Sequence, residues 1–226
     1  MPKRFDPRVD ILPDAQRELW PQLSAAPRLS FVLYSGTAVA LHLGHRESVD
    51  FDFFRSDPLN KVELGRAFGF IANAPVLQDA PDTLAVSVPM SSGPVKVSFF
   101  GNIGFGRVGE PLLTRDGTLL VASLEDLLAT KLETTLDRAE ARDYRDIARM
   151  ISTGMSLSSG LGAFRQMFKG EPSQVLRAIG YFRDGDLPTL AEADQRLLRN
   201  ERDKVVSVPE VHVTPGSLAT DLDERT

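Results

Sequence analysis

Residues 48–54, SVDFDFF, alternate so regularly that they constrain this chain more than any other stretch. Val49, Phe51 and Phe53 fall on one side of an extended strand, and Ser48, Asp50 and Asp52 fall on the other. Residues two apart on a strand project from the same face with their Cα atoms about 6–7 Å apart. Two carboxylates therefore stand side by side on a strand whose phenylalanines belong in a core. The preceding residues narrow the choice further. Residues 29–35, LSFVLYS, read as a mostly apolar strand ending at Gly36, and residues 37–43 read as a short helix closed by Gly44 as its C-cap. Few α/β proteins open with a strand, a glycine turn, a very short helix and an acidic strand in that order.

The rest of the chain supplies a frame for this unit. A helix is expected over residues 14–23, bracketed by Pro13 and Pro27, and another over about 59–71, with Pro58 suiting its first turn. TLAVSVP and PVKVSFF flank residues 90–93 and read as a β-hairpin, and GTLLVAS reads as a further short strand. A long helix is expected from Ser123 to about Ser152, with Ser123 and Asp126 close to a capping box. Residues 154–160 break that pattern, and shorter helices are expected near 161–169, 173–182 and 187–203. The reading gives three parts: an α/β core over 1–122, a helical region over 123–205, and a flexible tail over 206–226 that is polar and punctuated by Pro and Gly.

Composition excludes several chemistries. With no cysteine among 226 residues, there is no disulfide, thiol nucleophile or cysteine-ligated metal. Three histidines, His42, His45 and His212, leave little room for a histidine-built zinc site or a Ser-His-Asp triad. No apolar stretch approaches a membrane span, and MPKRFDPRVD has no apolar run behind its basic residues, so a cytoplasmic protein without membrane contact is expected. A net charge of −5 argues against a whole-surface grip on nucleic acid but leaves room for local basic patches.

Two places carry the candidate chemistry. Asp50 and Asp52 repel one another unless a cation sits between them, and hard cations such as Mg²⁺ prefer oxygen ligands. The Ser35-Gly36-Thr37 turn just upstream points backbone N–H groups and a helix N-terminus at a potential phosphate, and Arg46 offers further positive charge. Taken alone, the acid pair also fits the polar outer face of an exposed strand, and the turn fits the plain start of a helix. The second place is the long helix. At about 100° per residue, Leu128, Leu132, Leu136, Ala139, Ile147 and Met150 share an apolar arc, with Asp143 near its middle and Asp146 at its edge. Lys131, Arg138, Arg142, Arg145 and Arg149 form an adjacent basic stripe. A carboxylate on an apolar face is either one half of an internal ion pair or a group with a catalytic role. The stripe is either a solvated, paired surface or a phosphate-facing one.

YSGTAVALHLGHRESVDFDFF resembles the first motif of the AbiEii/AbiGii-type nucleotidyltransferase-like toxins in the DNA polymerase β superfamily: a GG or GS turn, a short helix, then an R-x-S-x-D-x-D strand. Arg46, Ser48, Asp50 and Asp52 match as they stand. Lys131, Arg138, Arg142, Asp143 and Asp146 resemble the family's later K-x(n)-R-x-x-x-[RK]-D-x-x-D pattern. The resemblance implies an α+β fold with a nucleotidyltransferase-like mixed sheet, flanking helices and a helical C-terminal half. It implies an NTP substrate and Mg²⁺ (or Mn²⁺) held by Asp50 and Asp52. Ser35, Gly36, Thr37 and Lys131 would contact the triphosphate, Arg46 and Ser48 would join the nucleotide site, and Asp143 or Asp146 would complete it. It further implies a toxin partnered by an antitoxin, transferring NMP to an acceptor such as tRNA or protein. The sequence departs from the pattern at two points. Ser35 stands where the turn's first glycine is expected, and the same-face residues of PVKVSFF are Lys96 and Ser98, where much of the superfamily has a third carboxylate. Two alternatives stay open: a catalytically degenerate nucleotide- or protein-binding module on the same scaffold, and a small-molecule nucleotidyltransferase.

Overall fold

In the computed structural model, which describes residues 2–220, the acidic strand lies inside a mixed sheet. The chain divides into two units. The first comprises Met1–Gly106, Glu110–Ser123 and Pro215–Thr226; the second comprises Arg107–Gly109 and Leu124–Thr214.

The first unit is built on eight strands: β1 (Arg4–Phe5), β2 (Val32–Tyr34), β3 (Asp50–Phe54), β4 (Val76–Ala80), β5 (Thr83–Met90), β6 (Gly93–Phe100), β7 (Leu112–Thr114) and β8 (Leu120–Val121). Their order across the sheet is β1-β7-β8-β2-β3-β6-β5-β4. β3 runs antiparallel to β2 and parallel to β6. Its alternation does what the sequence demands. Phe51 and Phe53 are fully buried, while Asp50 and Asp52 are half-buried on the other face. Behind β3 the core is aromatic: Phe53 stacks on Phe99 at 5.5 Å, Phe31 meets both edge-on, and Trp20 approaches Phe51 at 6.4 Å. Burying a phenylalanine is worth roughly 1.5–3 kcal/mol, so this cluster fixes the register that puts both acids on one face.

Three helices flank the sheet: α1 (Asp14–Leu19), α2 (Ser35–Leu43) and α3 (Lys61–Ala67). Gly44 closes α2 in the left-handed conformation at φ 58°, as its position predicts. The first strand is shorter than expected, because 3₁₀ turn Pro27–Leu29 and left-handed Ser30 precede it and Ser35 already belongs to α2. The helix expected over 59–71 is α3 followed by a separate 3₁₀ turn, Gly69–Asn73; Phe68 between them leaves the helical region. The hairpin forms with Met90 opposite Gly93, Gly93 taking a φ of 122°.

The second unit is helical: α4 (Leu124–Asp137), α5 (Ala141–Ser152), α6 (Leu157–Phe168), α7 (Pro172–Ala178) and α8 (Glu192–Asp203). The single long helix expected over 123–152 is therefore two. Glu140 is extended (φ −113°, ψ 124°), the Ala141 N–H donates to Asp186 at 2.6 Å, and a Cβ on Gly185 would meet the Ala139 carbonyl. The break is imposed by the 185–186 turn. α6 starts inside the stretch read as a break, with Ser156 as its N-cap accepting from the Ser159 N–H at 3.3 Å. Position 160 is a glycine within the helix because α4 passes close by; a Cβ there would lie 2.6 Å from Leu128 Cδ2. The helix expected over 187–203 is a 3₁₀ turn, Leu187–Thr189, and then α8.

The stretch read as a flexible tail makes contacts with the rest of the chain at several points up to Leu218. In the second unit Thr214 exchanges both backbone hydrogen bonds with Arg107, and Arg165 donates to the Pro209 carbonyl at 3.2 Å. In the first unit Leu218 is buried and donates its N–H to Ser56 Oγ at 3.0 Å. The tail's last six residues, 221–226, lie outside the described residues. No helix among those described is long and apolar enough to cross a membrane.

Candidate functional site

In the first unit, the structure brings the upstream turn and the acid strand together. The Thr37 hydroxyl donates to the main-chain carbonyl of Asp50 and is hydrogen bonded to the Ser48 hydroxyl at 2.9 Å. These contacts fasten the first turn of α2 to the start of β3. Gly36 is needed there: a Cβ would sit 2.5 Å from an Arg46 guanidinium nitrogen and 3.1 Å from Ser48 Oγ. Arg46 thus lies over the turn, and its Nη1 donates to the Glu47 carbonyl at 2.8 Å. Ser35 opens α2 at φ 64°. That left-handed conformation costs a residue with a side chain about 1–2 kcal/mol relative to glycine. All seven candidates of the first motif (Ser35, Gly36, Thr37, Arg46, Ser48, Asp50 and Asp52) belong to this α2–β3 corner.

Register fixes what faces the acids. Asp50 pairs with Lys96 of β6, and Asp52 pairs with Ser98 of β6 and Tyr34 of β2. The place of a third strand carboxylate is therefore held by a lysine and a serine, as the sequence indicates. Ser98 is fully buried, and its Oγ has no hydrogen-bond partner among the described residues. Those residues contain no group of three metal-binding side chains. A pair of carboxylates nevertheless suits Mg²⁺, which commonly takes one or two protein oxygens and completes its shell with water and phosphate.

The second motif forms its own cluster in the second unit. Because α4 and α5 are separate, Lys131 reaches residues that would lie roughly 18–23 Å further along one continuous helix. Its ammonium is 2.5 Å from Asp143 Oδ1 and 2.9 Å from Asp146 Oδ2, with both carboxylates fully buried. Arg138 adds a second cation to Asp143, with Nε at 2.9 Å and Nη2 at 3.4 Å. Burial alone pushes the Asp143 carboxyl up; the Lys131 charge and the hydrogen bonds from Arg138 and Lys131 outweigh it and hold Asp143 below the usual carboxylate range. Neighbouring Tyr144, whose hydroxyl donates to the Ala178 carbonyl at 3.2 Å, is pushed up to about 12 by burial and by the charges of Asp143 and Asp184. Of the basic stripe, Arg142 pairs with Glu140 at 2.5 Å, and Arg145 and Arg149 are exposed.

Sequence reasoning missed one feature beside the acids. Tyr34 and Phe54 stack at 5.0 Å, and Phe105 meets their rings at 5.9 and 6.3 Å. The signal was Phe105 alone between Gly104 and Gly106, in a stretch where no strand or helix was expected. His42 is a packing residue: it stacks on Phe5 at 4.6 Å and its Nε2 lies 2.9 Å from the Ala122 carbonyl.

The family model described as Nucleotidyl transferase AbiEii toxin, Type IV TA system, matches residues 23–207, an interval that holds both clusters. Among curated proteins, the chain is 25% identical over 158 residues to the Uncharacterized protein aq_aa25 of Aquifex aeolicus, covering 68% of this chain and 74% of that protein.

Proposed function

Since the chain belongs to the AbiEii family of nucleotidyl transferase toxins, we propose that it transfers NMP from an NTP to an acceptor hydroxyl, as the toxin component of a toxin–antitoxin pair. The observation that carries this reading is the fastening of the α2 turn to β3 through Thr37, Ser48 and the Asp50 main chain. It supports a reading in which main-chain N–H groups at the start of α2 meet phosphate oxygens beside the two half-buried carboxylates. Positioning and charge neutralisation are what in-line phosphoryl chemistry needs most.

In the reaction, the acceptor oxygen bonds to the α-phosphorus as the bond to the bridging oxygen breaks. Pyrophosphate leaves, and the acceptor proton passes to a carboxylate of the site. The main-chain N–H groups of Ser35, Gly36 and Thr37 receive phosphate oxygens, and Arg46 offsets their charge. Asp50 and Asp52 would hold Mg²⁺ or Mn²⁺, which would supply charge neutralisation at the phosphates. Ser48 keeps the acid strand in register with the turn. Lys131 pairs with Asp143 and Asp146 inside the second unit, where the three form an internal ion triad. The acceptor is tRNA or a protein, with the exposed Arg145 and Arg149 available to an RNA backbone.

The test is calorimetry with each NTP, with and without Mg²⁺, together with transfer of an α-labelled NMP to candidate acceptors. Binding that depends on the metal and is lost in Asp50→Ala and Asp52→Ala, with transfer abolished in both, is the expected result. Full transfer by either variant overturns the assignment. A second reading, a scaffold that binds nucleotide or protein without transfer, is favoured by Lys96 and Ser98 at the third carboxylate's place. It predicts metal-indifferent binding that survives Asp50→Ala.

A further inference from the structure

The sheet face that carries Asp50 and Asp52 changes character along β3. At one end stand the α2 turn, Arg46 and Ser48; two residues beyond Asp52, on the same face, stands Phe54. From Asp50 to Phe54 is four residues, roughly 13 Å along a strand. Phe54 is the centre of an aromatic group. Tyr34 stacks nearly parallel to it (14°), Phe100 meets it edge-on at 5.1 Å, and Phe105 meets it at 62° and 6.3 Å. Tyr34 is buried, but Phe54, Phe100 and Phe105 are only half-buried. These three rings sit on the face of the carboxylates, opposite the core aromatics Phe51, Phe53 and Phe99. Phe105 reaches them from a short loop between two glycines, with Gly106 at φ 72°.

A polar, phosphate-seeking end and a half-open aromatic end on one strand face match a ligand with the same division. We infer that the half-buried rings of Phe105 and Phe54 form the seat of a nucleobase, whose phosphates take the Asp50 end. The inference rests on the nucleotide reading above and adds the part of the ligand that reading leaves unassigned. Stacking is tolerant of sequence because every base has a π-face, and each base–aromatic stack commonly contributes enough to change affinity tenfold or more. The seat therefore takes purines and pyrimidines by ring contact, and Tyr34, packed against Phe54, positions that ring without touching the ligand.

The test compares each NTP with inorganic tripolyphosphate, which has the phosphates and no base, by calorimetry in Mg²⁺ on the full chain. Phe105→Leu and Phe54→Leu keep apolar bulk while removing the ring, and circular dichroism checks that both fold. Wild type is expected to bind NTPs more tightly than tripolyphosphate, and the ratio of the two affinities should fall about tenfold in Phe105→Leu. Phe54→Leu should lower it in the same direction. A ratio unchanged in folded variants, or equal wild-type affinity for NTPs and tripolyphosphate, overturns the base seat while the phosphate site stands. Wild type that binds neither ligand overturns the phosphate reading and this one together.

Discussion

The two acidic pairs of this chain are made of the same residue type and sit in opposite environments. Asp50 and Asp52 lie two apart on a strand and are half-buried. Asp143 and Asp146 lie three apart on a helix, are fully buried, and have the Lys131 ammonium between them. Like charges at such distances need a cation. In the helical unit the chain supplies it; on β3 the neighbouring strand offers Lys96 opposite one acid and an uncharged serine opposite the other. The role of a carboxylate pair follows from where its counter-charge comes from.

The sharpest way to break this contrast is to remove the internal cation. Lys131→Met strands two buried carboxylates and should destabilise the protein by about 3–5 kcal/mol, measured by urea unfolding. Asp50→Asn, a change at a half-buried residue, should cost clearly less than Lys131→Met; a loss as large as that of Lys131→Met would erase the distinction. Acid titration sharpens it next. Asp143 titrates below its ordinary value of 3.8 in the folded protein. Its contribution is therefore present above that value and is lost as pH falls through the lower folded pKa. Asp143→Asn should flatten the acid limb of stability in that window, and an unchanged limb would contradict the assignment.

Smaller effects probe the α2 turn. Ser35→Gly should stabilise the protein by about 1 kcal/mol, by relieving the left-handed serine; thermal unfolding that shows no gain refutes the strain. Gly36→Ala meets the end of a flexible arginine and, at 3.1 Å, the Ser48 hydroxyl, both of which can give way. The expected outcome is a Tm within about 2 °C of wild type, corresponding to less than roughly 0.5 kcal/mol, with NTP affinity reduced a few-fold as Arg46 is displaced. Unchanged affinity would remove Arg46 from the site.

The acid strand, the glycine turn and the hairpin were legible because a strand's period of two and the positions of Gly36, Gly44 and Gly93 leave few alternatives. The division of α4 from α5 was not. Arg138, Ala139 and Glu140 carry no breaker and favour helix; the interruption comes from Gly185 and Asp186, more than forty residues away in sequence. The pairing of Lys131 with Asp143 and Asp146 follows from that same turn and was hidden with it, although the motif residues themselves were visible. Gly160 misled in the opposite sense, since a glycine admitting a close neighbour looks the same in a sequence as one that ends a helix. β4 escaped because four of its five residues are exposed and leave no alternating pattern.

Leu218, buried beside the sheet and bonded to Ser56, has a consequence for the order in which the molecule is made. The whole of α4–α8 is inserted in the chain between β8 and this residue. A ribosome that has delivered both acids, the turn and every strand of the sheet must still deliver the helical unit before Leu218 can dock. On a nascent chain the first unit is therefore held one contact short of completion until synthesis has passed through the second.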